Sequence, residues 1–172
     1  MFSITKAALT DLDILLALSR ETFNTAFRHL NNADDFDAYF AVAFSREKLL
    51  AELHDPNSHF YFALIDDEPA GYIKLNYANA QTEFGNKNEV EVERIYVLAT
   101  QQGNQIGKRL LDFAIEKARE NKMEYIWLGV WENNHGAIRF YEQNGFKAFS
   151  SHVFVLGADK QTDILMKKAI AQ

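Results

Sequence analysis

The sequence predicts an α+β domain, a mixed and mostly antiparallel sheet of about seven strands flanked by about four helices. Three observations carry this reading. Two β-rich runs in "HFYFALIDDEPAGYIKLNYA" are separated by an Asp-Asp-Glu-Pro cluster, a turn in which Pro presets φ. The strand-like "VEVERIYVL" runs through a glycine-containing turn into the amphipathic "IGKRLLDFAIEKAREN". The unbroken apolar run "YIWLGVW" fits a strand buried on both faces, and a short helix and two more strands follow it.

The remaining elements follow in order. "FSITKA" reads as a first strand, and Thr10 or Asp11 is placed to cap a helix in which Leu12, Leu15, Leu16 and Ser19 share a face. A second helical region covers "DDFDAYFAVAF" and "SREKLLAELH", with a helix start at Ser45 and a stop at Pro56. "QTEFGNKNE" is a polar loop. The helix after the glycine turn is expected to start at Gly107 and to bury Ile106, Leu110, Leu111, Ala114, Ile115 and Ala118. In "HGAIRFYEQNGF" a short helix stops at Asn144-Gly145, and the last strands turn between Gly157 and Gln161.

The 172 residues suit one domain, 1–172. Apolar residues at 48% and charged residues at 24% are the balance of an ordinary globular chain. With 18 Lys plus Arg against 24 Asp plus Glu, the formal charge of −6 disfavours nucleic acid and anionic membranes as partners. No cysteine is present, so disulfides, thiolate metal sites and a cysteine nucleophile are excluded. The five histidines lack metal-ligand spacing, and no metal is expected. No apolar stretch approaches the ~20 residues of a membrane span, so the expected location is cytoplasmic. A homodimer is compatible with these features.

The turn "GNQIGKR" invites comparison with a nucleotide loop. Gly103 and Gly107 enclose three residues rather than four, and Arg109 follows Lys108 where a magnesium-binding Ser or Thr would be needed. The spacing does not give GxGxxG either. What remains is a strand–turn–helix whose free N–H groups suit an anion, with Gly103 and Gly107 able to take positive φ and Lys108 adding charge. In the preceding strand the apolar residues occupy even positions at Val90 and Val92, then odd ones at Ile95 and Val97. That switch of parity near Glu93 and Arg94 predicts a β-bulge.

"VERIYVLATQQGNQIGKRLL" with "LGVWENNHGAIRFYEQNGF" resembles the Gcn5-related N-acetyltransferase (GNAT) superfamily. Its loop pattern is Gln or Arg, two residues, Gly, one residue, Gly or Ala. Gln102, Asn104 and Gly107 fall in that frame, and Gln105 stands at the first glycine. The resemblance implies a central V-shaped splay in the sheet that holds the pantetheine arm of acetyl-CoA, with the pyrophosphate on the turn Gln102, Gly103, Asn104, Gln105, Ile106, Gly107 and Lys108. It also implies that the N–H groups of Ile95, Tyr96 and Val97 pair with pantetheine and polarise the acetyl carbonyl, and that Asn134 binds the coenzyme.

Attack on a thioester requires a neutral amine, and alkylammonium groups lose their proton only near pH ~10.4, so a base or a proton path must help. Glu93 matches the family's base position, with Glu91 in reserve, and Tyr141 matches the tyrosine that protonates the departing thiolate. Trp127 is expected in the core, while Trp131 remains open as a contact for a cationic substrate.

More narrowly, "SRETFNTAF", "AGYIKLN", "VERIYV" and "QTDILM" are similar to PaiA-type polyamine acetyltransferases. This implies a small-molecule amine acceptor such as spermidine or spermine, held by acidic residues. Asp34, Asp35, Asp37, Glu83, Glu89 and Glu91 are the candidates. Acetylation of a peptide amino terminus and non-catalytic acyl-CoA sensing are the alternative functions.

Overall fold

The computed structural model describes residues 1–171. Its seven strands are β1 (Phe2–Lys6), β2 (Ser58–Ile65), β3 (Glu68–Tyr77), β4 (Glu89–Val97), β5 (Tyr125–Trp131), β6 (Lys147–Leu156) and β7 (Asp159–Ala169), in sheet order β1-β2-β3-β4-β5-β7-β6. Every pair is antiparallel except β4 with β5. The five α-helices are α1 (Leu12–Phe27), α2 (Ala33–Ala43), α3 (Arg46–His54), α4 (Ile106–Glu120) and α5 (His135–Gln143).

Strand alternation divides the core between the two faces. Ile73, Leu75, Val90 and Ile126 pack with Leu110, Leu111 and Ala114 of α4, while Phe60, Phe62 and Tyr72 pack with Leu15 and Leu18 of α1 and Leu49 of α3. A third cluster, aromatic in character, joins Phe23 of α1 to Phe36 of α2, with Phe44 and Leu156.

The second helical region is two helices that meet at Phe44 and Ser45. Phe44 leaves helical geometry, and the Ser45 side chain accepts the Lys48 N–H at 3.1 Å, capping α3 as its position suggested. Asp11 precedes α1 without capping it; its carboxylate turns back to the Ala8 N–H at 2.8 Å. The last turn is also tighter than expected, with only Gly157 and Ala158 between β6 and β7, and β6 begins well upstream at Lys147.

The bulge lies where the parity switch put it. In the β3–β4 register Lys74 faces Arg94 and Leu75 faces Val92, so Glu93 is the extra residue. On its other side β4 pairs with β5 only at Glu89, Val90 and Glu91. Beyond Glu91 the two parallel strands separate, and the backbone edges of both line a wedge.

Gly71 sits where β3 passes the wedge-forming end of β4. A Cβ there would lie 2.6 Å from the Tyr96 carbonyl oxygen and 3.2 Å from the Val97 Cα. Because both obstacles are backbone, Gly71→Ala is expected to cost about 1–3 kcal/mol of stability, measured by urea denaturation. Wild-type stability in that variant would mean that β4 yields at no cost.

Candidate active site

The wedge opens into a cavity of about 1160 Å³. One arm is bounded by Ile95, Tyr96 and Val97 of β4, the turn into α4, Asn134 just before α5, and Tyr141 of α5. The other is bounded by Glu83, Glu91, Glu93, Trp131, His152 and Asp163.

In the first arm the backbone dictates the chemistry. Gly103 adopts φ +86° and Gln105 adopts φ +59°, while Gly107 is helical and α4 starts at Ile106, one residue before the expected glycine. The left-handed positions are thus Gly103 and Gln105, and Gly107 contributes the absence of a side chain. A Cβ on Gly103 would meet nothing within 4 Å, and one on Gly107 only Val97 Cγ2 at 4.0 Å. Gln105 makes no side-chain cap, so the first-turn N–H groups of α4 remain available beside open space, an arrangement suited to an anion. Lys108 is ion-paired with Asp112. Asn134 caps α5, its Oδ1 accepting the Ala137 N–H at 3.2 Å. Tyr141 is buried, which raises its pKa, and among the described residues no protein group bonds its hydroxyl.

The bulge is fastened by a network of buried charges. Arg94 donates to both oxygens of Glu52, at 3.0 and 3.3 Å, and stands 3.6 Å from Glu93. Lys74 pairs with Glu93 and lies 3.2 Å from Glu52. The Asn76 amide donates to Glu93 at 2.7 Å and to Glu91 at 3.1 Å. Burial opposes ionisation of Glu93, but the Arg94 and Lys74 charges and the Asn76 amide outweigh it, and the pKa falls to about 2. Glu93 is therefore a firmly ionised carboxylate with little affinity for a proton. At Glu91 burial acts the other way and raises the pKa. Both its oxygens are engaged, by the Thr82 hydroxyl at 2.5 Å, the Thr82 N–H at 2.8 Å and Asn76.

Trp127 is a buried residue whose indole N–H donates to Gln81 Oε1 at 2.7 Å, and both it and Trp131 border the cavity. Of the acidic candidates, Glu83 and Glu91 reach the cavity, and Glu89, Asp34, Asp35 and Asp37 are not part of its lining. The three aspartates have local tasks. The Asn32 side chain accepts the N–H groups of Asp34 and Asp35, the Asp35 carboxylate accepts the Ala158 N–H at 2.7 Å, and Asp37 pairs with Arg28 at 2.7 Å.

Asp163 and His152 were not among the sequence candidates. They face each other across the β6–β7 pair, with Asp163 also opposite Trp131 of β5. A Cβ on Gly129 would lie 3.5 Å from Asp163 Oδ2, so this glycine within a bulky strand leaves the carboxylate its space. The one signal available was the polar "SSH" and "QTD" interrupting apolar strands.

Residues 20–146 match the Acetyltransferase (GNAT) family. The chain belongs to that family. It is an N-acetyltransferase that draws its acetyl group from acetyl-CoA. It is 44% identical over 167 residues to an uncharacterized N-acetyltransferase in the pepI 3' region of Lactobacillus delbrueckii subsp. lactis, covering 97% of this chain and 96% of the relative. Over 119 residues it is 33% identical to the aminoalkylphosphonate N-acetyltransferase of Salmonella typhimurium, covering 69% and 71%. In fold it is similar to the PaiA N-acetyltransferase of Thermoplasma acidophilum in complex with coenzyme A, with a TM-score of 0.80 and 24% identity over 98% of this chain and 99% of that one. Among the described residues no helix is long and apolar enough to cross a membrane.

Proposed function

We propose that this N-acetyltransferase acts on a polycationic amine of the spermidine and spermine class. The observation that carries the proposal is the second arm of the cavity, where Glu83, Glu91 and Asp163 stand among Trp131, Tyr39 and Phe154, while the charge of Glu93 on the same wall is balanced by Lys74 and Arg94. The one arginine on this wall, Arg94, is already committed to Glu52 and Glu93. A polyamine needs such a wall, because its distal ammonium groups must be held while one terminal amine is deprotonated. The PaiA-type resemblance supports the same class. An aminoalkylphosphonate, the substrate named for the Salmonella relative, would bring a phosphonate anion toward carboxylates and is disfavoured.

Acetyl-CoA is assigned to the first arm. Its pyrophosphate lies on the N–H groups of the turn from Gln102 to Lys108, its pantetheine runs along Ile95, Tyr96 and Val97, and Asn134 and Tyr141 border the coenzyme from α5. The unpaired edge of β4 beyond Glu91 supports this path. The donors there also suit the oxygen of a thioester under attack, since they are fixed before charge develops.

The class is tested with spermidine, butylamine and 2-aminoethylphosphonate at low salt. Each partly desolvated charge-assisted contact is worth about 1.5–3 kcal/mol, so spermidine is expected to exceed butylamine at least about tenfold in kcat/KM. The advantage should shrink as salt rises. Equal efficiency with butylamine, or preference for the phosphonate, removes the polyamine assignment and leaves acetyl transfer intact.

A further inference from the structure

We propose that two bridges across the acceptor arm form a size filter, which admits a slender unbranched amine and excludes a peptide amino terminus. The inference rests on placing the acceptor in the second arm of the cavity, and not on its being a polycation. It starts from the elbow between α1 and α2. Asn32 caps α2 by accepting the N–H groups of Asp34 and Asp35, at 2.9 and 3.2 Å, which fixes the Asp35 backbone in the first helical turn. The Asp35 carboxylate reaches the last hairpin and accepts the Ala158 N–H at 2.7 Å.

The hairpin meets the elbow closely. Gly157 takes φ +63°, and a Cβ there would stand 2.4 Å from the Asp35 Cα, so the two backbones touch only because this residue is glycine. Beside this contact Gln161 Nε2 donates to Asn31 Oδ1 at 2.6 Å, and both residues line the cavity. Apolar contacts anchor the polar ones. Leu156 is buried with Phe23, Phe36 and Phe44, and the Phe154 ring meets the Tyr39 ring edge-on at 5.3 Å. The second bridge lies on the opposite side of the arm, where Glu83, on the loop before β4, touches His152 of β6. Thr82 beside it is tied to Glu91 through its hydroxyl and its N–H. That loop is thus fastened to β4 and closed against β6.

The arm is therefore crossed twice, from the elbow to the hairpin and from the β3–β4 loop to β6. A third direction leads into the first arm, which is assigned to the coenzyme. The cavity meets solvent beside the exposed His29 and Leu30 of the elbow itself, and this is the way left for the acceptor. An unbranched alkylamine is a single file of methylene groups and needs no wider groove. A peptide amino terminus carries a side chain on its first Cα, a planar amide beside it, and further residues that must leave the protein. Obstacles anchored in the backbone discriminate against it by clash rather than by attraction to the smaller amine.

The experiment compares kcat/KM for butylamine and for tetra-alanine amide, each with one amine, in wild type, Gly157→Ala and Gln161→Ala. A peptide α-amino group has a pKa of ~8 against ~10.4 for an alkylamine, so ionisation at neutral pH favours the peptide and a preference for butylamine reports shape. Wild type should prefer butylamine about 10²-fold, the penalty for a reacting atom held about 1 Å out of place. In Gly157→Ala the new Cβ must gain about 1 Å from Asp35 to reach ordinary contact, which parts the elbow from the hairpin. Gln161→Ala removes the tie to Asn31. Each variant should move the ratio toward the peptide about tenfold, with the thermal shift given by acetyl-CoA unchanged. A merely structural role would lower both substrates together and leave the ratio where it was. If Gly157→Ala does not fold, Gln161→Ala decides. Equal efficiency of wild type on the two amines, or a ratio unmoved in the folded variants, overturns the proposal. The polyamine class is judged by a different ratio, spermidine against butylamine, so either reading can fail alone.

Discussion

Arg94→Leu should destabilise the protein by about 3–5 kcal/mol in equilibrium urea unfolding. Four formal charges, on Glu52, Lys74, Glu93 and Arg94, meet beneath the bulge, and they balance. Leucine is shorter and uncharged, so the contact that the guanidinium makes over the Phe44 ring at 5.0 Å is lost as well, a smaller effect of about 0.5–2 kcal/mol. The larger part is that Glu52 and Glu93 are left to share Lys74 in a place water hardly reaches. Breaking a buried network by removing one member costs far more than the network contributes relative to an apolar replacement. A loss below about 1 kcal/mol, the range of exposed pairs, would show that water enters the site freely.

The same network sets an acid limit to stability. The pKa of Glu93 is depressed in the folded state, from 4.5 to about 2. Its contribution is therefore fully present above about pH 4.5 and is lost as the pH falls toward about 2. Wild type should lose stability across that window more steeply than Glu93→Gln, which has no carboxylate there to protonate.

The sequence made the bulge legible because a bulge changes which face of the strand is apolar, and Val90, Val92, Ile95 and Val97 record the change directly. The cap at Ser45 was legible for a similarly local reason, a side chain acting on an N–H group three residues ahead. The acidic wall was only half legible. Asp34, Asp35 and Asp37 look like a cation site, yet whether a carboxylate near a helix start faces a ligand, an arginine or another turn is decided by distant chain. Here the deciding partners are Arg28 and Ala158. His152, Asp163 and Glu83 come together from two strands and a loop about 70 residues upstream. No spacing rule spans that distance.

Tyr141→Phe should lower turnover about 10²–10³-fold, the range for removing one well-placed donor, while acetyl-CoA binding and the melting temperature stay near wild type. The ring is the structural part of this residue. It packs against Phe140 at 5.3 Å and Phe146 at 5.9 Å between ring centres, and phenylalanine preserves both contacts. The hydroxyl is the chemical part. Burial raises its pKa, so it remains protonated throughout the range in which the enzyme can be assayed. A phenol held that firmly in its neutral form is a hydrogen-bond donor first, and its proposed role is to stabilise negative charge as it gathers on the departing sulfur. The loss should therefore appear in kcat and be nearly constant with pH, whereas loss of a titrating proton carrier would reshape the profile. It should also shrink for a thioester whose thiol leaves more readily, since such sulfur needs less help. Wild-type turnover in Tyr141→Phe, or a loss that does not depend on the leaving thiol, would assign the tyrosine to packing alone.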